Sequence, residues 1–388
     1  MDDKHSDKNY VNNEFHEVEK KPESEEVREP FAGEELKENE KPESEEVREP
    51  VDGEELKENE KSEREEVREP VAGEELKENE KSEREEVRNS VPEEELKENE
   101  KSESKKLNIT WKTLMLFTAI ILLGAYFRFV GLNWDQGRHL HPDERFLTMV
   151  ETSLAWPSSI GEYLNERKST LNPRNVGYDY FTYGTLPTTI VKGAGILLNK
   201  TDYDRINLVG RAVSGILDLG AIVFIFLTGR VIYRDNRIAI ISSFLLAASV
   251  LAIQQAHFFV VDSFAAFFTT VSLYWLSRAQ REGKLVDFLM AGFFFALSMA
   301  CKVSVFTLFF VIVAVSIYRV TSISGIRGNN KILDILHIIF LTAVVSFIVF
   351  RIAMPDAFRG TSLMMPSERW LGNISSIRLE MNGQTDPP

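Results

Sequence analysis

Cysteine is almost absent from this sequence: one residue, Cys301, occurs among 388. A single cysteine excludes an intramolecular disulfide and argues against a cysteine-based zinc site. Histidine is also scarce, and no H-x-x-x-H or H-E-x-x-H spacing occurs. His139, His141 and His257 are the histidines that could join Asp143 around a divalent ion. Without a helical ligand spacing, we expect neither a metal nor another cofactor.

The first 20 residues contain no apolar core of the kind found in secretory signal peptides. We therefore expect internal apolar segments to direct membrane insertion. The sequence also contains no glycine-rich nucleotide loop, and we expect no nucleic-acid partner. The lipid bilayer is an expected partner, because the internal apolar segments are expected to insert into it.

Large apolar residues are rare in residues 1–106, which carry 40 acidic and 20 basic side chains. Their net charge is −20, so the remaining residues carry +6 of the −14 of the whole chain. Four copies of a twenty-residue unit, the first reading KPESEEVREPFAGEELKENE, fill residues 21–100. Such units cannot bury enough apolar surface to offset chain entropy, so they predict disorder. The segment is either a cytoplasmic spacer or docking tail, or an expanded repeat without a dedicated role.

Residues 107–352 are different, because they contain seven segments apolar enough to be considered as membrane spans. A span needs about 20 predominantly apolar residues. The predicted fold class is therefore an all-α polytopic membrane protein with seven transmembrane helices. The segments run from about Trp111 to Val130, Leu208 to Ile232, Ile238 to His257, Phe259 to Leu276, Phe288 to Ala300, Val303 to Tyr318 and Ile332 to Ile352.

Lysine and arginine collect before the first span and in alternate turns after it. The positive-inside rule places these turns and the N-terminal tail in the cytoplasm. The long loop at residues 132–206 then lies outside or in a lumen. Within it, Pro142 suits the first position of an amphipathic helix. The short segment LPTTIVKGAGILL is expected to lie on the membrane surface or to insert halfway.

Charged side chains beside membrane spans are costly and are therefore candidates for function. Asp143 and Glu144 lie in the first loop, Asp262 opens the fourth span, and Lys302 lies in the turn after the fifth. All four face the same boundary, so two acids and a cation could meet in one cavity. Lys302 is either a phosphate ligand or a side chain that reaches lipid headgroups. Acidic residues are also favoured in the first turn of any helix, whatever its function.

Several motifs occur in a fixed order along residues 110 to 350. They are the first span ending in Arg128 and GLNWD, then HPDERF, YFTYGTLPTTIVKGAG, VGRAVSGILDLGAIVFIFLTGRVIY, QQAHFFVVDSFAAFF and ALSMACKVSVF. This order resembles the C-type membrane glycosyltransferases, namely the dolichyl-phosphate-mannose protein mannosyltransferases (glycosyltransferase family 39) and the lipid A aminoarabinose transferases. The resemblance implies a module of seven spans with its site on the extracytoplasmic face.

The resemblance also implies roles for individual residues. Asp143 matches the loop acid that acts as base, Glu144 follows it as in an Asp-Glu pair, Asp262 matches a second acid, and Lys302 matches a lysine near the lipid phosphate. The implied reaction moves a sugar, expected to be a hexose, from a polyprenyl or dolichyl phosphate to an acceptor hydroxyl with inversion. The acceptor is a protein, a glycan or a lipid. Further candidates within the motifs are Arg128, Asp135, His141 and Tyr183.

Members of these families continue after the seventh span into a large outer loop. Residues 353–388 are expected to be the start of such a loop, in a truncated chain or a minimal enzyme. A polytopic transporter or flippase and an inactive scaffold with a docking tail are the alternative functions. Asp218, inside the second span, is expected to pair with Arg211 or Lys192 rather than to react.

Overall fold

The computed structural model describes residues 108–322 and 330–383, so the predictions for the acidic tail lie outside the described residues. Within the described ranges the chain forms α-helices, three short 3₁₀ turns and no β-strand. The α-helices are α1 Trp111–Phe129, α2 Pro142–Ser153, α3 Ile160–Tyr163, α4 Leu186–Leu197, α5 Tyr203–Tyr233, α6 Asn236–Ala247, α7 Val250–Ala256, α8 Val261–Glu282, α9 Leu285–Met299, α10 Leu308–Ser322, α11 Lys331–Ala353 and α12 Glu368–Met381.

Each of the seven predicted spans coincides with helical segments, which confirms the helical fold class. Among the described residues, four helices are long and apolar enough to cross a membrane by length and composition. They are α1, α5, α11 and the helical stretch Val303–Ser322 that contains α10. The bent pair α6 and α7 would be a fifth. Helix α9 is apolar but has only 15 residues. The exact count of seven spans therefore stays a prediction.

The predicted third span is not one straight helix. Helices α6 and α7 meet at an angle of 56°, and the break leaves carbonyl groups at the end of α6 without helical partners. Arg128, at the end of α1, donates to the carbonyl oxygens of Ala247 at 2.6 Å and Leu246 at 3.1 Å. Its Nε also donates to Asp218 at 2.6 Å. The predicted pairing of Asp218 with Arg211 or Lys192 is therefore wrong.

Helix α4 corresponds to the short apolar segment of the long loop. Its 12 residues make it about 18 Å long, whereas the hydrocarbon core is about 30 Å thick. It is therefore too short to span, as expected. Its buried Lys192 donates to the carbonyl oxygen of Glu151 at 2.8 Å and so ties α4 to α2.

One buried hydrophobic cluster packs the long loop against neighbouring helices. Leu147 and Val150 on α2, Phe181, and Phe259 and Phe264 near the start of α8 belong to it. These side chains are essentially fully buried, and burying each from water is worth about 1.5–3 kcal/mol. The cluster therefore fixes the long loop to the helix ends around the charged residues described next.

Candidate active site

The first candidate residue, Asp143, lies at the start of α2. Pro142 is the first residue of this helix, and the Nδ1 atom of His141 caps it by accepting from the backbone N–H of Glu144 at 3.3 Å. The first helical turn points the two neighbouring acids in different directions. Asp143 is exposed, whereas Glu144 is fully buried.

Glu144 is held by the buried guanidinium of Arg211, which comes from α5. Nε and Nη2 of Arg211 donate to the two carboxylate oxygens of Glu144 at 2.7 and 2.6 Å. The backbone N–H of Phe259 donates to the same carboxylate at 3.0 Å. Two-pronged arginine–carboxylate pairs are strong and directional. Glu144 therefore fixes the start of α2 against α5 and the segment before α8, and its carboxylate is closed to substrate.

Asp135 occupies the other side of the same guanidinium. Its carboxylate accepts from Arg211 at 3.0 and 2.8 Å. Burial raises the pKa of Asp135, but the hydrogen bonds and charge of Arg211 outweigh that effect and lower the pKa to about 2. Asp135 therefore stays ionised and shares the buried positive charge with Glu144.

Tyr183 lies near the two exposed acids of the site. Its hydroxyl is in the electrostatic field of the carboxylates of Asp143 and Asp262. Partial burial has the largest effect on the pKa of Tyr183, and these two negative charges act in the same direction. Together they raise the pKa to about 12. The hydroxyl therefore remains protonated at neutral pH and can donate a hydrogen bond at the site.

Lys302 completes the group from the turn between α9 and α10. Its Nζ donates to the Oδ1 atom of Asp262, in the first turn of α8, at 2.7 Å. The lysine side chain is 43% exposed and that of the aspartate 49%. Because an ammonium group has three donors, Lys302 can bind an anion from solvent while it keeps its contact with Asp262.

Gly184 explains how the loop carrying Tyr183 approaches Lys302 so closely. The backbone N–H of Gly184 donates to the carbonyl oxygen of Cys301 at 2.9 Å. A Cβ atom at Gly184 would lie 1.9 Å from the carbonyl oxygen of Ala300. Only glycine leaves room for two backbones at this distance.

We expect Gly184→Ala to force the two backbones apart and to displace Tyr183 from Lys302. Overpacking of this kind costs about 1–3 kcal/mol, and the unfolding temperature in detergent should fall accordingly. Gly372→Ala is the matched control, because a Cβ atom there meets nothing within 4 Å. An unchanged unfolding temperature for Gly184→Ala would contradict the close approach.

A cavity of about 470 Å³ adjoins these residues. Tyr183 and Lys302 line one side of it, and helix α12 forms the opposite wall. The lining is mainly apolar and aromatic, with charged groups at a few points. The other main residues that line the cavity are Tyr180, Phe181, Val303, Trp370, Ile374, Ile377 and Glu380.

The segment after α11 is bound to the long loop through buried polar contacts. Arg174 donates to Asp356 at 2.7 Å, and the Thr185 hydroxyl donates to the same carboxylate at 2.6 Å. The Ser367 hydroxyl donates to Glu166 at 2.7 Å. These partners are 171 to 201 residues apart in sequence. No local pattern reveals such pairs, so the sequence did not indicate that this segment forms a cavity wall.

Two further candidate residues, Arg128 and His141, do not line this cavity. Arg128 is buried within the helix bundle, where it contacts Asp218 and the end of α6. The ring of His141 packs against Phe258, with ring centroids 4.2 Å apart. Within the residues that the structure describes, no three histidine, cysteine, aspartate or glutamate side chains come close enough together to hold a metal ion.

Comparison with known proteins gives one family match and several related folds. Residues 206–352 match the family described as dolichyl-phosphate-mannose-protein mannosyltransferase. This range includes Asp262 and Lys302 and begins after Asp143. No curated protein matches the chain.

Two solved structures have a similar fold. The archaeal oligosaccharyltransferase AglB from Archaeoglobus fulgidus, in complex with an inhibitory peptide and a dolichol-phosphate, is 16% identical with a TM-score of 0.50. That match covers 71% of this chain and 33% of AglB. The protein O-mannosyltransferase complex Pmt1-Pmt2 of S. cerevisiae, bound to the sugar donor, is 13% identical with a TM-score of 0.50. It covers 65% of this chain and 35% of the yeast chain.

The chain thus spans about a third of the length of these structures. Both are membrane glycosyltransferases, and their likeness to this chain lies in the arrangement of the helices. Together with the matched family range, this confirms the resemblance seen in the sequence motifs. Residues 206–352 thus match the dolichyl-phosphate-mannose-protein mannosyltransferase family, and the chain shares its helical fold with these membrane glycosyltransferases.

Proposed function

We propose that this chain transfers a sugar, a hexose, from a polyprenyl or dolichyl phosphate to an acceptor hydroxyl. The proposal rests on one observation: Tyr183 and Lys302 line one cavity, Lys302 pairs with Asp262, and Asp143 is close enough to Tyr183 to act on it electrostatically. The family domain and the shared fold support the use of a lipid-linked donor. The charge distribution of the loops supports a site on the extracytoplasmic face.

Asp143 is the proposed general base. Its carboxylate is exposed, so an incoming hydroxyl can reach it. The acceptor O–H bond breaks as its oxygen bonds to the anomeric carbon, and the proton passes to Asp143. A positioned base of this kind contributes roughly 10²- to 10⁴-fold to a rate.

Lys302 is the proposed partner of the leaving phosphate. The bond between the anomeric carbon and the phosphate oxygen breaks, and its electron pair leaves with the phosphate. An ammonium group already held in place stabilises this charge without reorganisation. Asp262 holds Lys302 in place through the hydrogen bond of 2.7 Å. Attack opposite the leaving phosphate inverts the anomeric configuration.

The experiment measures release of free polyprenyl phosphate from a polyprenyl-phosphate hexose in liposomes that contain the full chain, with a short alcohol supplied as the acceptor. We expect Lys302→Ala to reduce the rate roughly 10²- to 10³-fold, since it removes the charge that stabilises the departing phosphate. Lys284→Ala is the matched control. Lys284 also pairs with a carboxylate, Glu282 at 2.6 Å, but lies in the turn between α8 and α9.

The wild type and Lys284→Ala should release polyprenyl phosphate at the same rate. Equal rates in Lys302→Ala and Lys284→Ala would overturn the role of Lys302. Uptake of the intact lipid-linked sugar without release would instead favour the transporter or flippase alternative.

A further inference from the structure

A short hairpin after helix α11 exposes three consecutive large apolar side chains. The backbone N–H of Arg359 donates to the carbonyl oxygen of Met365 at 2.8 Å, which closes the hairpin. Leu363, Met364 and Met365 form its tip, hereafter the Leu-Met-Met tip, and are 71%, 79% and 62% exposed. An exposed group of large apolar side chains indicates a surface that contacts something other than water.

The tip lies beside the end of a helix that is long and apolar enough to span a membrane. Arg351, in the last turn of α11, donates to the carbonyl oxygen of Ser362 at 2.9 Å. Ser362 immediately precedes the tip, so the tip is level with the last turn of α11. Among the 18 most apolar consecutive residues of α11, only 6% are buried within the protein. The exposed apolar side chains of α11, among them Ile332, Phe340 and Ile348, are therefore available to lipid.

A second apolar group lies at the same level. Arg351 also donates to the carbonyl oxygen of Leu164 at 3.1 Å. Ile160, one helical turn before Leu164, is 78% exposed. Ile352 on α11 is 56% exposed and accepts at its carbonyl oxygen from the Tyr163 hydroxyl. The apolar surface therefore continues from the end of α11 to both loop segments.

We propose that the Leu-Met-Met tip inserts into the membrane leaflet at the C-terminal end of α11. The partner is the lipid surface, because the tip continues the lipid-facing side of a membrane helix at the depth where that helix ends. Apolar side chains at this boundary bind lipid in proportion to the apolar area that they bury. Unbranched methionine side chains adapt readily to an irregular surrounding.

The hairpin joins α11 to α12, the helix that forms a wall of the cavity. Insertion of the tip holds that wall at the lipid surface, where a lipid-linked donor arrives. This consequence rests on the proposed function, whereas the insertion itself does not. A test that reads only the depth of the tip can therefore succeed or fail independently of glycosyl transfer.

The test places an environment-sensitive fluorophore, NBD, on Met364→Cys in the full chain, reconstituted in phosphatidylcholine liposomes. Cys301 is fully buried, so the wild type serves as the labelling blank. Glu368→Cys is the matched control, because Glu368 lies four residues further on and its side chain is 74% exposed. Quenching is measured with nitroxide-labelled lipids and, separately, with aqueous iodide.

We expect nitroxide lipids to quench the label at position 364 roughly twofold more than the label at position 368. Iodide should show the opposite preference. Quenching of both labels by iodide alone would mean that the tip lies in water and would overturn the proposal. Protection of position 364 from both quenchers would also overturn it, because a protein surface or a second copy of the chain would then cover the tip.

Discussion

Asp143→Asn should reduce release of polyprenyl phosphate roughly 10²- to 10⁴-fold, the usual contribution of a positioned base. Asparagine has nearly the same shape as aspartate but carries no charge. The helix start should therefore persist, since Pro142 and the cap formed by His141 are unchanged. What is lost is the negative charge that takes the proton from the acceptor hydroxyl.

Asp202→Asn is the matched control for this variant. Asp202 is also an exposed acid of the long loop, but it pairs with Arg205 at 2.5 Å away from the cavity. It should release polyprenyl phosphate at the wild-type rate. If Asp143→Asn also retained that rate while remaining folded, Asp143 would not be the base.

Arg211→Met should be the most destabilising single change that we predict. It leaves the carboxylates of Glu144 and Asp135 buried without their cation. Removal of one partner from a buried ion pair costs about 3–5 kcal/mol. For a chain of this size the unfolding temperature should fall by roughly 4 to 9 °C. Thermal unfolding in detergent, followed by tryptophan fluorescence, measures this change.

Arg205→Met provides the comparison on the same helix. Arg205 pairs with Asp202 at the surface, where its side chain is 57% exposed, and such pairs contribute about 0–1 kcal/mol. The double variant Arg211→Met/Glu144→Gln should recover part of the lost stability, because one unpaired charge is removed. Equal unfolding temperatures for Arg211→Met and Arg205→Met would contradict the structural role of this network.

The helices followed from the sequence because apolar segments of sufficient length carry a strong local signal. The same reasoning predicted that Asp143, Asp262 and Lys302 lie at one membrane boundary, since Asp262 and Lys302 occur at corresponding ends of apolar segments and Asp143 in the loop on that side. It also identified α4 as too short to span. The break between α6 and α7 was not predicted, because it depends on Arg128 of another helix to satisfy the exposed carbonyl groups.

The sequence could not show that Asp143 is exposed whereas its neighbour Glu144 is buried. Both acids were candidates for catalysis, and their different exposures depend on the position of Arg211 67 residues away from Glu144. In the proposed mechanism Glu144 is a positioning residue and Asp143 alone reacts. The sequence also could not show that α12 lines the cavity. The position of this helix depends on contacts between distant residues, such as that of Arg174 with Asp356.

The central claim is a single direct displacement at the anomeric carbon, with Asp143 as base. The measurement that tests it most directly is the anomeric configuration of the first product, determined by NMR from a polyprenyl-phosphate hexose of defined configuration and a short alcohol as acceptor. We predict a product whose configuration is opposite to that of the donor. A product that retains the donor configuration would require a covalent glycosyl-enzyme intermediate and would contradict this mechanism.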